Sequence, residues 1–336
     1  MMAPNQTAYD FFSLIEYPGK RDRVMIVLSI VSTLLYIFVL YILLRYREQF
    51  RASFFTLFIH LGFVDLIMIA NQYLIWKPLE WGWRGLIEMI WKHRDGPVLK
   101  LIGWPLWLAT QLQFLGVLTI SFNRLTSVAT PVEYKRYWSH RNTMWSIVVQ
   151  WIVALAYTVP FLSQQFTASK DEWGWIYIRF NSPEFHKGFY LFTAIFNGII
   201  LNLLVAVFYS ILLVLVCRQR QSSVAYTQQT GRVSGTEIKM AVTGFCLFVG
   251  MLAYGIFFAL ATTTRAGFNT YWEYWLVLGD VFSWMNPYCL LLTSSKLRDT
   301  IRVAVGRAPA PAALTVGSRS GGNKNRASNQ KRNAWK

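Results

Sequence analysis

The chain has 336 residues, of which 54% are hydrophobic and only 15% charged, and its formal net charge is +17. Its apolar residues come in long blocks rather than alternating, which argues against a soluble domain that would have to bury every block in one core. A charge this positive would suit nucleic acid, but no nucleic-acid motif accompanies it, and its distribution along the chain fits a membrane surface instead.

Seven stretches are long enough to cross about 30 Å of hydrocarbon. They are Val24 to Leu44, Phe54 to Trp76, Leu101 to Thr126, Met144 to Leu162, Phe189 to Cys217, Ile238 to Thr262 and Tyr274 to Leu292. The first outruns the core of a signal peptide and continues into Arg45-Tyr46-Arg47 without a small-residue cleavage site, so it reads as a span. With loops alternating, one side holds 12 Lys/Arg against 10 Asp/Glu and the other 21 against 4. The positive-inside bias puts the second side in the cytoplasm, the N-terminus outside and the C-terminus inside. The expected fold is an all-α seven-transmembrane helix bundle over residues 24–292, after an outer segment, 1–23. A short amphipathic helix over 293–306 and a disordered basic cytoplasmic tail over 307–336 follow it.

In chain order, Asn5-Gln6-Thr7 is a glycosylation sequon, making Asn5 the candidate acceptor. Asp65 stands about eleven residues into the second span, near the bilayer midplane, where a carboxylate is costly and needs partners. The segment from Lys77 to Lys100 reads as a tryptophan-rich outer loop, with Trp81, Trp83 and Trp91 suited to an interfacial belt. In the third span, Thr110, Gln113, Val117, Ile120 and Arg124 recur at three- and four-residue spacing, so their face must meet protein and the helix is the expected central post. Cys217, Cys246 and Cys289 lie in or beside spans, leaving no outer disulfide framework. His60, His93, His140 and His186 are scattered, and no metal site is expected. Asn197 and Asn202 in the fifth span require partners within the bundle. Glu237 opens the sixth span, whose outer half carries Tyr254, Phe257 and Phe258. In the seventh, Asp280 and Trp284 are one turn apart, ahead of Asn286-Pro287-Tyr288, where proline allows a kink.

These features together resemble a G-protein-coupled receptor. The signatures are Asp65 in the second span, Asn123-Arg124-Leu125-Thr126-Ser127-Val128 closing the third, and Asn286-Pro287-Tyr288 with Leu290 to Arg298 closing the seventh. More narrowly, the stretch from Val24 to Arg302 is similar to the nematode serpentine chemoreceptors of the class gamma superfamily, including class V. Departures from rhodopsin-type receptors are plain: Asn123 replaces an acid, Tyr288 follows Pro287 directly, the sixth span lacks proline, and the loop disulfide is absent.

The resemblance implies a chemosensory receptor with two partners besides the lipid bilayer, a small-molecule ligand and a heterotrimeric G protein, and no cofactor. Its expected ligand cavity is lined by Leu106, Thr110, Gln113, Tyr254, Phe257, Asp280 and Trp284. The expected activation switch comprises Asp65, Asn123, Arg124, Glu237, Asn286, Pro287 and Tyr288, with Glu237 holding Arg124 at rest. Leu106 stands where amine receptors carry an aspartate, which disfavours an amine, although Asp280 leaves one open; a small, largely apolar or weakly polar ligand suits this lining better. The implied location is the plasma membrane, in sensory-neuron cilia. A transporter or channel for a small solute is the rival class, disfavoured by the lack of an internal repeat between the halves. A retinal protein would need a lysine in the seventh span, and Tyr274 to Leu292 contains none. An enzyme is not expected, because the ionisable groups within the spans are too few and too dispersed.

Overall fold

The structure is a computed structural model that describes the backbone of residues 19–94, 96–170, 176–225, 235–263 and 267–306. Side chains are described for these residues apart from 169–170, 176–177, 179, 219–225, 235–241, 261–263 and 267–273. The first helix, α1 (Lys20–Arg45), is followed by α2, which runs over Ser53–Asn71, winds as a π-helix over Gln72–Trp76 and closes over Lys77–Glu80. A short helix, α3 (Arg84–Lys92), leads to α4 (Val98–Ala129), then α5 (Pro131–Tyr137) and α6 (His140–Ser163). An antiparallel hairpin of β1 (Phe166–Lys170) and β2 (Ile176–Phe180) pairs Phe166 with Phe180. The next helix, α7, runs over Pro183–Thr193, is π-wound over Ala194–Leu201 and returns to α-helix over Asn202–Ala225. The last two long helices are α8 (Gly235–Thr263) and α9 (Gly267–Thr293).

Among the described residues, seven of these helices are long and apolar enough to cross a membrane, in agreement with the seven spans read from the sequence. Their burial is inside-out relative to a water-soluble helix. On α1, Val27, Ile30, Val31 and Leu34 are exposed, whereas Ser29, Ser32 and Tyr36 are buried. An apolar rim around a polar interior is stable only where the surroundings are themselves apolar. The helix α4 is the most deeply buried of the seven, and its stripe of Thr110, Gln113, Val117, Ile120 and Arg124 is enclosed throughout. It is the central post that its spacing predicts.

Close packing brings the polar interior together. A side chain at Gly62 on α2 would collide with Leu40 and Tyr36 of α1, so the absence of one lets the two helices approach and carries Tyr36 to the bundle centre. Pro287 cannot donate to the carbonyl four residues earlier, and this loosened turn of α9 carries Ser283 and Asn286.

The hairpin is held without cystine. Ala168 N donates to Arg94 O at 3.0 Å, and Phe161 at the end of α6 packs 4.5 Å from Phe166 and 5.3 Å from Phe180, centroid to centroid. Aromatic burial therefore anchors this loop. From Lys296 onward the chain forms a separate unit. It contains all but the first residue of α10 (Ser295–Ala304), where Leu297 and Ile301 recur one turn apart and Arg302 bonds to Asp299 at 3.1 Å. The sequon at Asn5 and the tail over 307–336 lie outside the described residues.

Candidate functional site

At mid-bundle, Asp65 is 1% exposed and accepts hydrogen bonds from three other helices. Tyr36 Oη of α1 donates to Oδ2 at 2.5 Å, Gln113 Nε2 of α4 donates to Oδ1 at 2.6 Å, and Asn286 Nδ2 of α9 donates to Oδ2. Gln113 Nε2 also donates to Ser283 Oγ at 2.9 Å, a second tie from α4 to α9. A carboxylate has acceptor capacity for all three donors, which is why a group so costly in hydrocarbon can be kept there. Farther along α9, the Tyr288 hydroxyl lies 3.0 Å from Ser32 Oγ and joins α9 to α1 again.

Toward the other end of α4, Arg124 is 6% exposed and its guanidinium lies 3.9 Å from the centroid of the Phe54 ring, within cation–π range. Its Nη2 donates to Asn123 Oδ1 at 3.2 Å. Asn123 Nδ2 donates to Ser53 Oγ at 2.9 Å, and Tyr134 Oη lies 2.7 Å from Ser53 Oγ and donates to Asn123 Oδ1 at 3.3 Å. Because an amide both donates and accepts, Asn123 can bridge α2, α4 and α5 where an acid could only accept. The backbone of Glu237 belongs to α8, while its side chain lies outside those described.

At the opposite end of the bundle, Asp280 is sealed in a buried ion pair. Lys77 Nζ is 2.5 Å from its Oδ2, Tyr73 Oη donates to the same oxygen at 3.1 Å, and Lys77 sits 4.6 Å from the Tyr73 ring centroid. Hydropathy ends the second span at Trp76, yet the π-wound turn carries α2 on to Glu80 and turns Lys77 inward, 3% exposed. A lysine assigned to the outer loop thus belongs to the interior, and Asp280 has a fixed counter-charge.

A small cavity lies beside this pair. From α4 it is lined by Trp107, Thr110 and Phe114; from α7 by Thr193, Asn197 and Gly198; from α8 by Tyr254, Gly255 and Phe258; and from α9 by Trp275. Rings run continuously past it, with Trp107 5.3 Å from Phe189 and 5.9 Å from Phe258, and Trp275 stacked 5.2 Å from Tyr254. The π-wound turn of α7 shapes one wall. Asn202 Nδ2 donates to Asn197 O at 2.9 Å and to Gly198 O at 3.3 Å, serving carbonyls of that turn. Its partners are in its own helix rather than across the bundle.

Of the residues expected to line a ligand cavity, the structure brings Thr110 and Tyr254 together there. Gln113 is engaged by Asp65 and Asp280 by Lys77, Leu106 is buried, and Phe257 is 6.3 Å from the Tyr274 ring. Trp284 is 7% exposed, and its Nε1 has no hydrogen-bond partner among the described residues. Sequence reasoning passed over Tyr36, Lys77 and Trp275, while Trp107 stood out only as one of several tryptophans near the membrane interface. The signal for Tyr36 was a hydroxyl buried seven residues beyond Ser29 on the polar face of α1.

Comparison with known proteins agrees with this architecture. The family model for the serpentine type 7TM GPCR chemoreceptor Srv matches residues 25–307. Serpentine receptor class V-1 of Caenorhabditis elegans is 25% identical over 278 residues, covering 81% of this chain and 85% of that relative. With seven membrane-spanning helices and a family match across the whole bundle, the chain belongs to the Srv family of serpentine seven-transmembrane chemoreceptors of the G-protein-coupled type.

Proposed function

We propose that this receptor binds a small molecule in the aromatic-lined cavity and passes the event to a heterotrimeric G protein at the far end of the bundle. The charge asymmetry of the loops supports an N-terminus outside and a C-terminus inside, which makes the cavity outer and Arg124 cytoplasmic. The observation that carries the reading is the meeting of four helices at Asp65. Two of them, α4 and α9, also line the cavity, and α4 continues to Arg124.

A ligand shifts such a bundle only by its differential affinity for two arrangements. Here it acts on the relative placement of α4, α8 and α9. Movement of α9 strains the bond Ser283 accepts from Gln113 and the one Asn286 donates to Asp65, the Pro287 turn yields, and Tyr288 changes its tie to α1. At the cytoplasmic end, Glu237 at the start of α8 competes for Arg124 in the resting state, and its release opens the face on which the G protein docks. The receptor works at the plasma membrane, in the cilia of sensory neurons, with Asn5 glycosylated on the outer side.

The test is a reporter cell exposed to a panel of small volatile and soluble compounds, with wild type and Arg124→Ala at matched surface expression. The expected result is a response in wild type that Arg124→Ala abolishes, with basal signalling raised in Glu237→Ala. A response that persists undiminished in Arg124→Ala would overturn the reading.

A further inference from the structure

The chemistry of the cavity narrows the class of ligand, given the reading that the cavity is the ligand site. Among the described residues, no Asp, Glu, Lys or Arg lines it. The carboxylate of Asp280 is already matched by Lys77 in a buried pair. A charged ligand would surrender its hydration with no counter-charge waiting, so the ligand is uncharged.

Its hydrogen-bonding pattern follows from what the lining leaves unmet. Asn197 is 4% exposed and its Oδ1 has no hydrogen-bond partner among the described residues. Thr193 is occupied, donating to Phe189 O at 2.8 Å and meeting the Tyr157 hydroxyl. The hydroxyls of Thr110 and Tyr254 stand 3.5 Å apart, at the outer limit of a bond, and both retain capacity. Among the described residues, the lining therefore includes one strict acceptor and two hydroxyls, set among aromatic rings. A hydroxyl group, with one donor and two lone pairs, is the complement.

We propose that the cavity takes a compact, uncharged alcohol or phenol, whose hydroxyl donates to Asn197 Oδ1 and accepts from Thr110 or Tyr254. The space open to the centre of a water-sized sphere is about 10 Å³, close to what one water needs. The ligand hydroxyl takes the place suited to that water, and its apolar body parts the walls. The wall with most reason to yield is the α7–α8 contact, where the backbones of Gly198 and Gly255 touch beside the π-wound turn.

The test uses the full-length receptor in lipid nanodiscs, reading ligand-dependent shifts of the melting temperature. The probes are benzyl alcohol, phenol, benzyl methyl ether, toluene, benzylamine and benzoate. The alcohol and phenol should bind about tenfold more tightly than the ether or toluene, the worth of one good hydrogen bond, and the charged probes should not register. Asn197→Leu should erase the preference of alcohol over ether. Should that variant fold poorly, Asn197→Ser, whose shorter side chain draws the acceptor back out of reach while staying polar, should reduce the same preference. Equal binding of ether and alcohol, a preference for a charged probe, or no shift with any probe would overturn the proposed class. Ether and alcohol binding equally but lost together in Thr110→Met, which fills the cavity, would leave the cavity as the ligand site. Alcohol binding that survives Thr110→Met unchanged would remove the cavity reading itself.

Discussion

Replacing Asp65 by alanine withdraws both acceptor oxygens from donors on three other helices. Tyr36 Oη and the Asn286 amide lose their carboxylate acceptor, while Gln113 Nε2 keeps Ser283. Interhelical hydrogen bonds in membranes are worth on average about 0.6 and at most about 1.7 kcal/mol, so three together predict a loss of roughly 2 to 5 kcal/mol. Asp65→Asn should cost far less. Gln113 Oε1 has no hydrogen-bond partner among the described residues, so a flipped Gln113 amide can accept from the new Asn side chain while Ser283 donates to it. The assay is reversible unfolding of the purified receptor in mixed micelles titrated with SDS. A double-mutant cycle decides the cause. In wild type, Tyr36→Phe removes a made bond and destabilises; in Asp65→Ala it removes an orphaned hydroxyl and should cost little or stabilise. Equal cost of Tyr36→Phe in both backgrounds would refute the four-helix junction.

Three further outcomes are expected. Lys77→Met alone should destabilise by about 3 to 5 kcal/mol in the same unfolding assay, because it strands Asp280; pairing it with Asp280→Leu should recover most of the loss. Gly255→Ala should cost about 1 to 3 kcal/mol, since its Cβ would stand 2.8 Å from Asn202 Nδ2 and 3.2 Å from the Gly198 backbone, whereas Gly188→Ala, facing open space, should be neutral by melting temperature. Phe161→Ala should loosen the β1–β2 hairpin by roughly 3 to 5 kcal/mol of lost aromatic packing, visible as faster limited proteolysis between β1 and β2 with helical circular dichroism unchanged.

The seven spans were legible because hydrocarbon imposes a length on an apolar run, and no tertiary information is needed to read it. Asp65 and Asn286 stood out for the same reason, as polar groups in an apolar medium. Their partners were harder. Gln113 shares a helical face with Thr110, and spacing cannot say that one turns to Asp65 and the other to the cavity. Lys77 was hidden because a lysine after an apolar run marks a span's end, whereas the π-wound turn that draws it inward leaves no trace in hydropathy. Asn202 finds its carbonyls in that same class of turn, on its own helix. The hairpin did carry a signal, since Ile176, Ile178 and Phe180 alternate with Tyr177 and Arg179, but the surrounding helical runs masked it.

The most direct test of the account is nucleotide exchange on a purified heterotrimeric G protein mixed with the reconstituted receptor, with and without a compound that activates it in cells. The account predicts that the compound accelerates exchange on the wild-type receptor. Arg124→Ala should abolish that acceleration while leaving the compound's binding intact. Exchange that ignores the compound, together with compound-driven solute flux across the reconstituted vesicles, would contradict it.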